Sequence, residues 1–466
     1  MSGLFREITG PYLFIVAAFL LFLFYSITSG WRAFLGWVIF LSVQLPIDSE
    51  TIRPAVSDIF IPFMLIAWAL ASARKIESNS GEIGAGSAQS RLLPWILLFT
   101  ALFFIFGNTI AFINLGYLPS WTLVNKDVGL LTLVIVFALS EYYINNRDRL
   151  LTLIRVFIYT GAVINIIAFC GGIARYVFGV SNHMMRDYSG LRLVGFNINP
   201  GSYGGWLLVI TLIQFSLLIN RSSVIGIRRW LQWLIMIIGS VNIILTLSRS
   251  SYLGALAGFL AAIVFSRKGS IKSFLILSVV ALLSITYIFR HSQESDVDEK
   301  FQAGVYASNT AEQRVNINIA ALDMFMESPA NIPFGVGIGT FLTRSEELLG
   351  YRIQIHNTFL WILVEMGSIG FIVMLAMFYR AYADCRVAAR TEWVGQPIAV
   401  GVMSCIIATF GWFMGDEGLW HRHVWFILIL ADSVYRVFCQ EIELGKQIGD
   451  PEQYAQFVER PAFVMH

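Results

Sequence analysis

Charge is scarce in this sequence. Asp, Glu, Lys and Arg together make up 13% of its 466 residues, against 57% hydrophobic residues and a mean hydropathy of +0.69. Soluble domains carry about twice that share of charge, which excludes an ordinary soluble protein and indicates one that crosses a membrane repeatedly. An excess of one sign is also missing. The net charge of +2 gives no argument for a nucleic-acid partner, and the Lys and Arg residues fall in short loops rather than on one basic face. Cysteine is sparse: Cys170, Cys385, Cys405 and Cys439 lie in or beside apolar segments, with no CxxC or Cys/His ligand spacing. Neither a disulfide framework nor a zinc site is indicated. There is no internal repeat, and the Gly335-Val-Gly337-Ile-Gly339 run has no βαβ unit around it, so it is not a dinucleotide fingerprint.

What is present is a succession of apolar runs. They lie near residues 11–28, 31–46, 58–73, 92–113, 128–144, 150–178, 203–219, 230–247, 252–265, 271–289, 356–379, 397–414 and 419–438. Most approach the length needed to cross ~30 Å of hydrocarbon, and they predict an all-α polytopic membrane protein with about 12–13 transmembrane helices. The first run lacks a basic start and a small-residue cleavage site, so it is expected to be a retained span and not a signal peptide. Basic residues mark alternate loops: Arg74, Lys75 and Arg91; Arg147, Arg149 and Arg155; Arg221, Arg228 and Arg229; Arg267, Lys268 and Lys272; Arg380, Arg386 and Arg390. By the positive-inside rule these loops are cytoplasmic.

Parity then places residues 180–199, the Ser248-Arg249-Ser250 corner, the insert 290–355 and the turn 415–420 outside. The expected organisation is N-terminal membrane helices over 1–289, with a flexible cytoplasmic loop at 74–91, then an outer loop with short helices over 290–355. C-terminal membrane helices follow over 356–438, and a cytoplasmic tail over 439–466. Within the insert, Thr310-Ala-Glu-Gln313 has capping-box spacing and predicts a helix that Ser328-Pro329 closes.

The chemistry gathers at the outer face. Residues 356–370 read HNTFLWILVEMGSIG, with His356 and Asn357 at the mouth of an apolar segment and Glu365 inside it. On a continuous helix Gly367 and Gly370 would lie near the His356 face and let a neighbouring helix approach. Arg249 sits at a hairpin corner between two spans, where a guanidinium avoids the roughly 2.5–3.5 kcal/mol it would cost at the bilayer centre. Arg192 lies in an irregular Gly- and Asn-rich loop at the head of a helix, a setting that suits an anion. Arg314 stands on the insert helix, able to fold over the same mouth; Arg186, Arg344 and Arg352 are weaker candidates. Arginines with one histidine at headgroup level suit a lipid-linked diphosphate. The arginines would stabilise the leaving diphosphate, and neutral His356 would take the proton of an attacking hydroxyl. Asp416, Glu417, His421 and His423 are expected to form a polar rim. Histidines two apart on a helix point to different sides, so shared metal ligation is not expected.

The HN-x-x-L-x-x-x-x-E-x-G-x-x-G pattern of residues 356–370, the P-x-x-x-G-x-G-x-G-x-F pattern of residues 329–341, slightly stretched in its inner spacing, and the Ser248-Arg249 corner resemble the O-antigen ligase and polymerase superfamily. The resemblance implies a GT-C-type helical glycosyltransferase at the periplasmic face of a bacterial inner membrane. It implies inversion at the anomeric carbon, with no metal and no cofactor. The implied donor is an undecaprenyl diphosphate-linked glycan and the acceptor a glycan or lipid A-core. A polysaccharide flippase and a chain-length regulator are implied partners. It assigns donor-diphosphate roles to Arg192, Arg249 and Arg314 and acceptor activation to His356. Asn357, Glu365, Gly367 and Gly370 become structural members of the motif, with Glu365 bracing neighbouring helices. Asn199-Pro200-Gly201 departs from relatives that often carry a second Asn after the proline. A protein acceptor, a transporter or flippase of a lipid-linked or polar solute, and a structural membrane protein are the alternatives. A transporter would place ionisable residues near the midplane in broken helices.

Overall fold

A computed structural model of the chain describes residues 19–26, 29–44, 55–77, 89–187, 191–197, 199–266 and 310–448. The expectations for 271–289, for the first part of the outer insert, for most of the 74–91 loop and for the end of the chain lie outside these residues. Hydrocarbon offers the backbone no hydrogen-bond partners, so apolar runs of this length satisfy their amides internally as helices. The described helices are α1 (Gly30–Ile39), α2 (Ile61–Glu77), α3 (Leu93–Leu115), α4 (Thr122–Tyr143), α5 (Arg147–Phe178), α6 (Pro200–Ile219), α7 (Arg229–Leu245) and α8 (Arg249–Phe265). Beyond the insert come α9 (Thr310–Met326), α10 (Asn331–Phe334), α11 (Thr340–Leu349), α12 (Thr358–Arg390), α13 (Gln396–Phe413) and α14 (Arg422–Ile448).

Among the described residues, seven helices are long and apolar enough to cross a membrane: α2 with the turn before it, α3, α4, α5, α6, α12 and α13. The apolar helices α7 and α8 are shorter, at 17 residues each. The run at 31–46 yields only the 10-residue α1, which at 1.5 Å per residue is about 15 Å long and cannot span alone. The protein is an all-α polytopic membrane protein, with one small addition: β1 (Met185–Asp187) pairs antiparallel with β2 (Leu191–Leu193), Arg186 opposite Arg192. The loop carrying Arg192 is therefore partly a hairpin, where the sequence suggested irregular chain.

Helix α6 forms the centre, with every residue buried. It is packed by α7, α8 and α13. Close approach of α8 to α13 depends on missing side chains: a Cβ on Gly254 would stand 2.7 Å from the Ala408 carbonyl oxygen, and one on Gly411 would stand 3.0 Å from the Gly254 Cα. This is the small-residue packing that Gly254 and Gly258 suggest in the sequence. Three charges on α14 are matched in place: Arg422 pairs with Asp58, and Asp432 accepts from Arg436 and from Ser90.

Candidate functional site

The site begins at the head of α12. The Asn357 side chain caps the helix by accepting from Leu360 N at 3.1 Å, so His356 lies just before the helix and not on one of its faces. The expectation that Gly367 and Gly370 share a helical face with His356 fails for a second reason. Gly367 has φ 69 and ψ −175, so α12 kinks there.

The kink frees the carbonyls of the preceding turn, and the glycine-rich loop takes them up. Val336 N donates to Val364 O at 2.8 Å and Gly337 N to Glu365 O at 3.0 Å. Gly335, Gly337 and Gly339 all have positive φ (77, 91 and 78), and a Cβ on Gly335 or Gly337 would strike backbone of α12 or α3. On its other side the loop meets α3, where Ile338 N donates to Gly107 O at 3.0 Å. Gly107 ends a π-helical stretch from Leu102, a widening that changes which carbonyls remain available. Gly367 therefore receives a loop, where the sequence suggested a neighbouring helix.

The chain after α13 closes over the head of α12. Thr358 Oγ1 donates to Asp416 O at 2.6 Å and accepts from Gly418 N at 2.8 Å, clamping residues 416–418 beside His356. Asp416 lies at the start of α6, where a Cβ on Gly201 would collide with its Oδ2. Asn199 caps that helix by accepting from Gly201 N at 2.7 Å. From β2, Arg192 donates through Nε to Thr246 O at 3.0 Å and through Nη2 to Leu247 O at 3.1 Å. These carbonyls belong to the C-cap of α7 and the residue after it, so Arg192 ties down the short α7–α8 corner. Ser248 then caps α8, and Arg249 is its first residue.

The sequence-predicted charges act on one another. Burial lowers the proton affinity of Arg192; Tyr252 and Asp416 oppose that effect, while Arg314 and Arg249 add to it. Burial likewise pulls His356 below its ordinary value, with Glu417 raising it and Arg314 lowering it further. Burial pushes the Asp416 carboxyl up to about 7, against the pull of Arg314 and Arg192. A Cβ on Gly415 would stand 3.3 Å from Arg314 Nη1 and 3.0 Å from Ser250 Cβ, so Arg314 and the head of α8 that carries Arg249 adjoin the turn that Thr358 clamps next to His356. Arg249 and Arg314 are exposed and hold no hydrogen bond among the described residues, which leaves their forks available to an anion. Arg344 instead makes a two-pronged pair with Glu327, at 2.9 and 3.1 Å, joining α9 to α11.

His421 and His423 differ from expectation. His421 precedes α14, so helical spacing does not apply, and the two rings stack 5.3 Å apart beneath Trp412. Burial holds His421 down at about 4, and its Nε2 lies 3.3 Å from Ser202 Oγ. Among the described residues no group of three or more His, Cys, Asp or Glu side chains is arranged to hold a metal.

Sequence reasoning passed over Lys126. Its side chain is only 2% exposed, with Nζ 3.0 Å from Glu417 Oε1 and 3.6 Å from Glu365 Oε2. It lies over the Trp361 ring at 4.3 Å. In the sequence Lys126-Asp127 reads as the polar start of a span; the π-helical turn Thr122–Asp127 places it inside the protein.

Residues 234–375 match the protein-family model described as O-antigen ligase. The chain carries an O-antigen ligase domain. That match, which covers less than half of the chain, supports the O-antigen ligase and polymerase superfamily and an O-antigen ligase-like function in general. The matched stretch contains Arg249, Arg314, the glycine-rich loop, His356 and Glu365. Arg192, Lys126, Asp416 and Glu417 lie outside it. No curated protein matches the chain.

Proposed function

We propose that the protein is an inverting glycosyltransferase that moves a glycan from undecaprenyl diphosphate to a sugar hydroxyl, in polymerisation or ligation of a surface polysaccharide. The observation that carries this reading is the gathering of three guanidinium groups, two of them exposed, beside a histidine that burial biases toward its neutral form. In the reaction the acceptor oxygen attacks the anomeric carbon while the bond from that carbon to the diphosphate oxygen breaks. His356 takes the hydroxyl proton, and the electron pair leaves with the diphosphate. Arg249 and Arg314 bind its developing charge through forked hydrogen bonds. Arg192 contributes charge and holds the α7–α8 corner on which Arg249 stands. We assign the site to the periplasmic face of a bacterial inner membrane, with a lipid A-core or growing glycan as acceptor and no metal required.

The test is transfer by the purified protein from a lipid-linked oligosaccharide, with chelator, offering either more donor or lipid A-core. A ladder of products identifies a polymerase, and one lipid A-linked product identifies a ligase. His356→Ala should lower the rate by about 10²–10⁴-fold without loss of fold. Near-normal transfer by that variant removes His356 as the base, and dependence on added metal removes metal independence.

A further inference from the structure

The loop between α6 and α7 lies at the far end of both helices from the candidate site. Helix α6 starts beside Asp416 and runs 20 residues to Ile219, a length of about 30 Å that matches a bilayer core. At that end a cavity of about 420 Å³ is lined by Arg221, Ser222, Ser223, Arg228, Arg229 and Gln232 among others. Small-ligand sites measure roughly 300–1,000 Å³. Arg221 and Arg228 hold no hydrogen bond or ion pair among the described residues, and Arg229 has one long bond, from Nη2 to Leu218 O at 3.4 Å. Ser222 Oγ accepts from Val224 N at 3.3 Å and keeps its own proton to donate.

The loop is built rather than slack. Arg155 Nε donates to Val224 O at 2.6 Å, Tyr159 Oη donates to Ile225 O, and Gln232 Nε2 donates to Ile227 O at 2.7 Å. Arg221 follows the C-cap of α6 with φ 56, its N–H donating to Leu218 O at 3.1 Å while Ser222 N donates to Leu217 O at 2.9 Å. Glycine is the usual residue at this left-handed position, because a Cβ is costly there. Orienting a loop requires positive charge beside the membrane. It requires neither an arginine in this backbone conformation nor a cavity among three of them.

We propose that this cavity binds the phosphodiester headgroup of an anionic phospholipid, with the three guanidinium groups and the two serine hydroxyls on its oxygens. Guanidinium forks match phosphate oxygens, and basic pockets between membrane helices suit such headgroups. A lipid is favoured over free phosphate by what adjoins the lining. Trp230, Leu234 and Ile237, spaced four and three apart on α7, form an exposed apolar stripe that starts in the turn carrying Arg229. Acyl chains can follow it into the hydrocarbon while Trp230 sits at headgroup level. Alternation of basic loops assigns this face to the cytoplasmic leaflet. The role is independent of the transfer reaction.

The experiment counts lipid retained by the purified full-length protein, by native mass spectrometry, on titration with phosphatidylglycerol, phosphatidylcholine or inorganic phosphate. The wild type is expected to retain a phosphatidylglycerol in preference to phosphatidylcholine. Arg221→Gln/Arg228→Gln should weaken that binding about 30-fold, and Arg221→Lys/Arg228→Lys should lose much of it with the forks. Arg386→Gln/Arg390→Gln removes the same charge from another basic loop and should leave binding nearly unchanged. Arg221→Gly keeps the favoured backbone, so its unfolding temperature in phosphatidylcholine should not fall while its phosphatidylglycerol binding does; this variant separates recognition from folding. Equal binding of the two lipids, or equal loss in both Gln pairs, overturns the site. Saturable binding of inorganic phosphate that needs Arg221 and Arg228 and resists displacement by phosphatidylglycerol overturns the lipid as occupant.

Discussion

At the scale of single residues, similar arginines do different work. Arg249 has no protein partner among the described residues, whereas Arg192 holds the α7–α8 corner with two hydrogen bonds. Lysine keeps the charge and loses the fork. Arg249→Lys should therefore lower kcat by about 10²-fold at unchanged unfolding temperature, while Arg192→Lys should lower both; a transfer assay paired with thermal unfolding in detergent separates them. Asp416 provides a pH signature. Its carboxyl, raised from 3.8 to about 7 by burial, binds a proton more tightly in the folded protein than in the unfolded chain. The resulting stability is present below the unfolded value and lost as pH rises from 3.8 through about 7. Unfolding temperature should fall across that window, and Asp416→Asn should flatten the fall. An unchanged slope in the variant would assign the dependence to other groups.

At the scale of elements, the motif of residues 335–370 is a joint between a broken helix and a loop. Its glycines are visible in the sequence, but their purpose is not, because a 3.6-residue period treats α12 as continuous through Gly367. The structure shows φ 69 there and a Cβ position that collides with Pro333 O. Gly116 offers a control, with φ 76 and open space around it. Gly116→Ala should cost only the left-handed backbone term, about 1–2 kcal/mol. Gly367→Ala adds a backbone clash and should cost more, measured by denaturant or thermal unfolding. Equal losses would mean that the Pro333 turn moves aside easily. The α9 helix, by contrast, was legible at both ends: it begins at Thr310, where the sequence marks a start, and ends at Met326, just before Ser328-Pro329. Caps and stops are local signals, which a sequence carries in full.

At the scale of the whole molecule, orientation follows from alternation of basic loops and is directly testable. In a background lacking the four native cysteines, Ser223→Cys should react with a membrane-impermeant maleimide only from the cytoplasmic side, and Arg352→Cys only from outside. The reverse pattern would invert the topology and move the site across the membrane. Composition determined that the chain lies in a membrane, because so apolar a sequence has no soluble fold available to it. Apolar periods located most helices, and residue type and position nominated Arg192, Arg249, Arg314 and His356. Tertiary structure decided that Arg314, the head of α8 and the head of α12 meet at the 415–418 turn, because these segments are close only after packing. It also decided the place of Lys126, which one π-helical turn carries inside to two carboxylates distant in sequence. Local pattern sets which segments enter the bilayer; long-range packing sets which charges share a site.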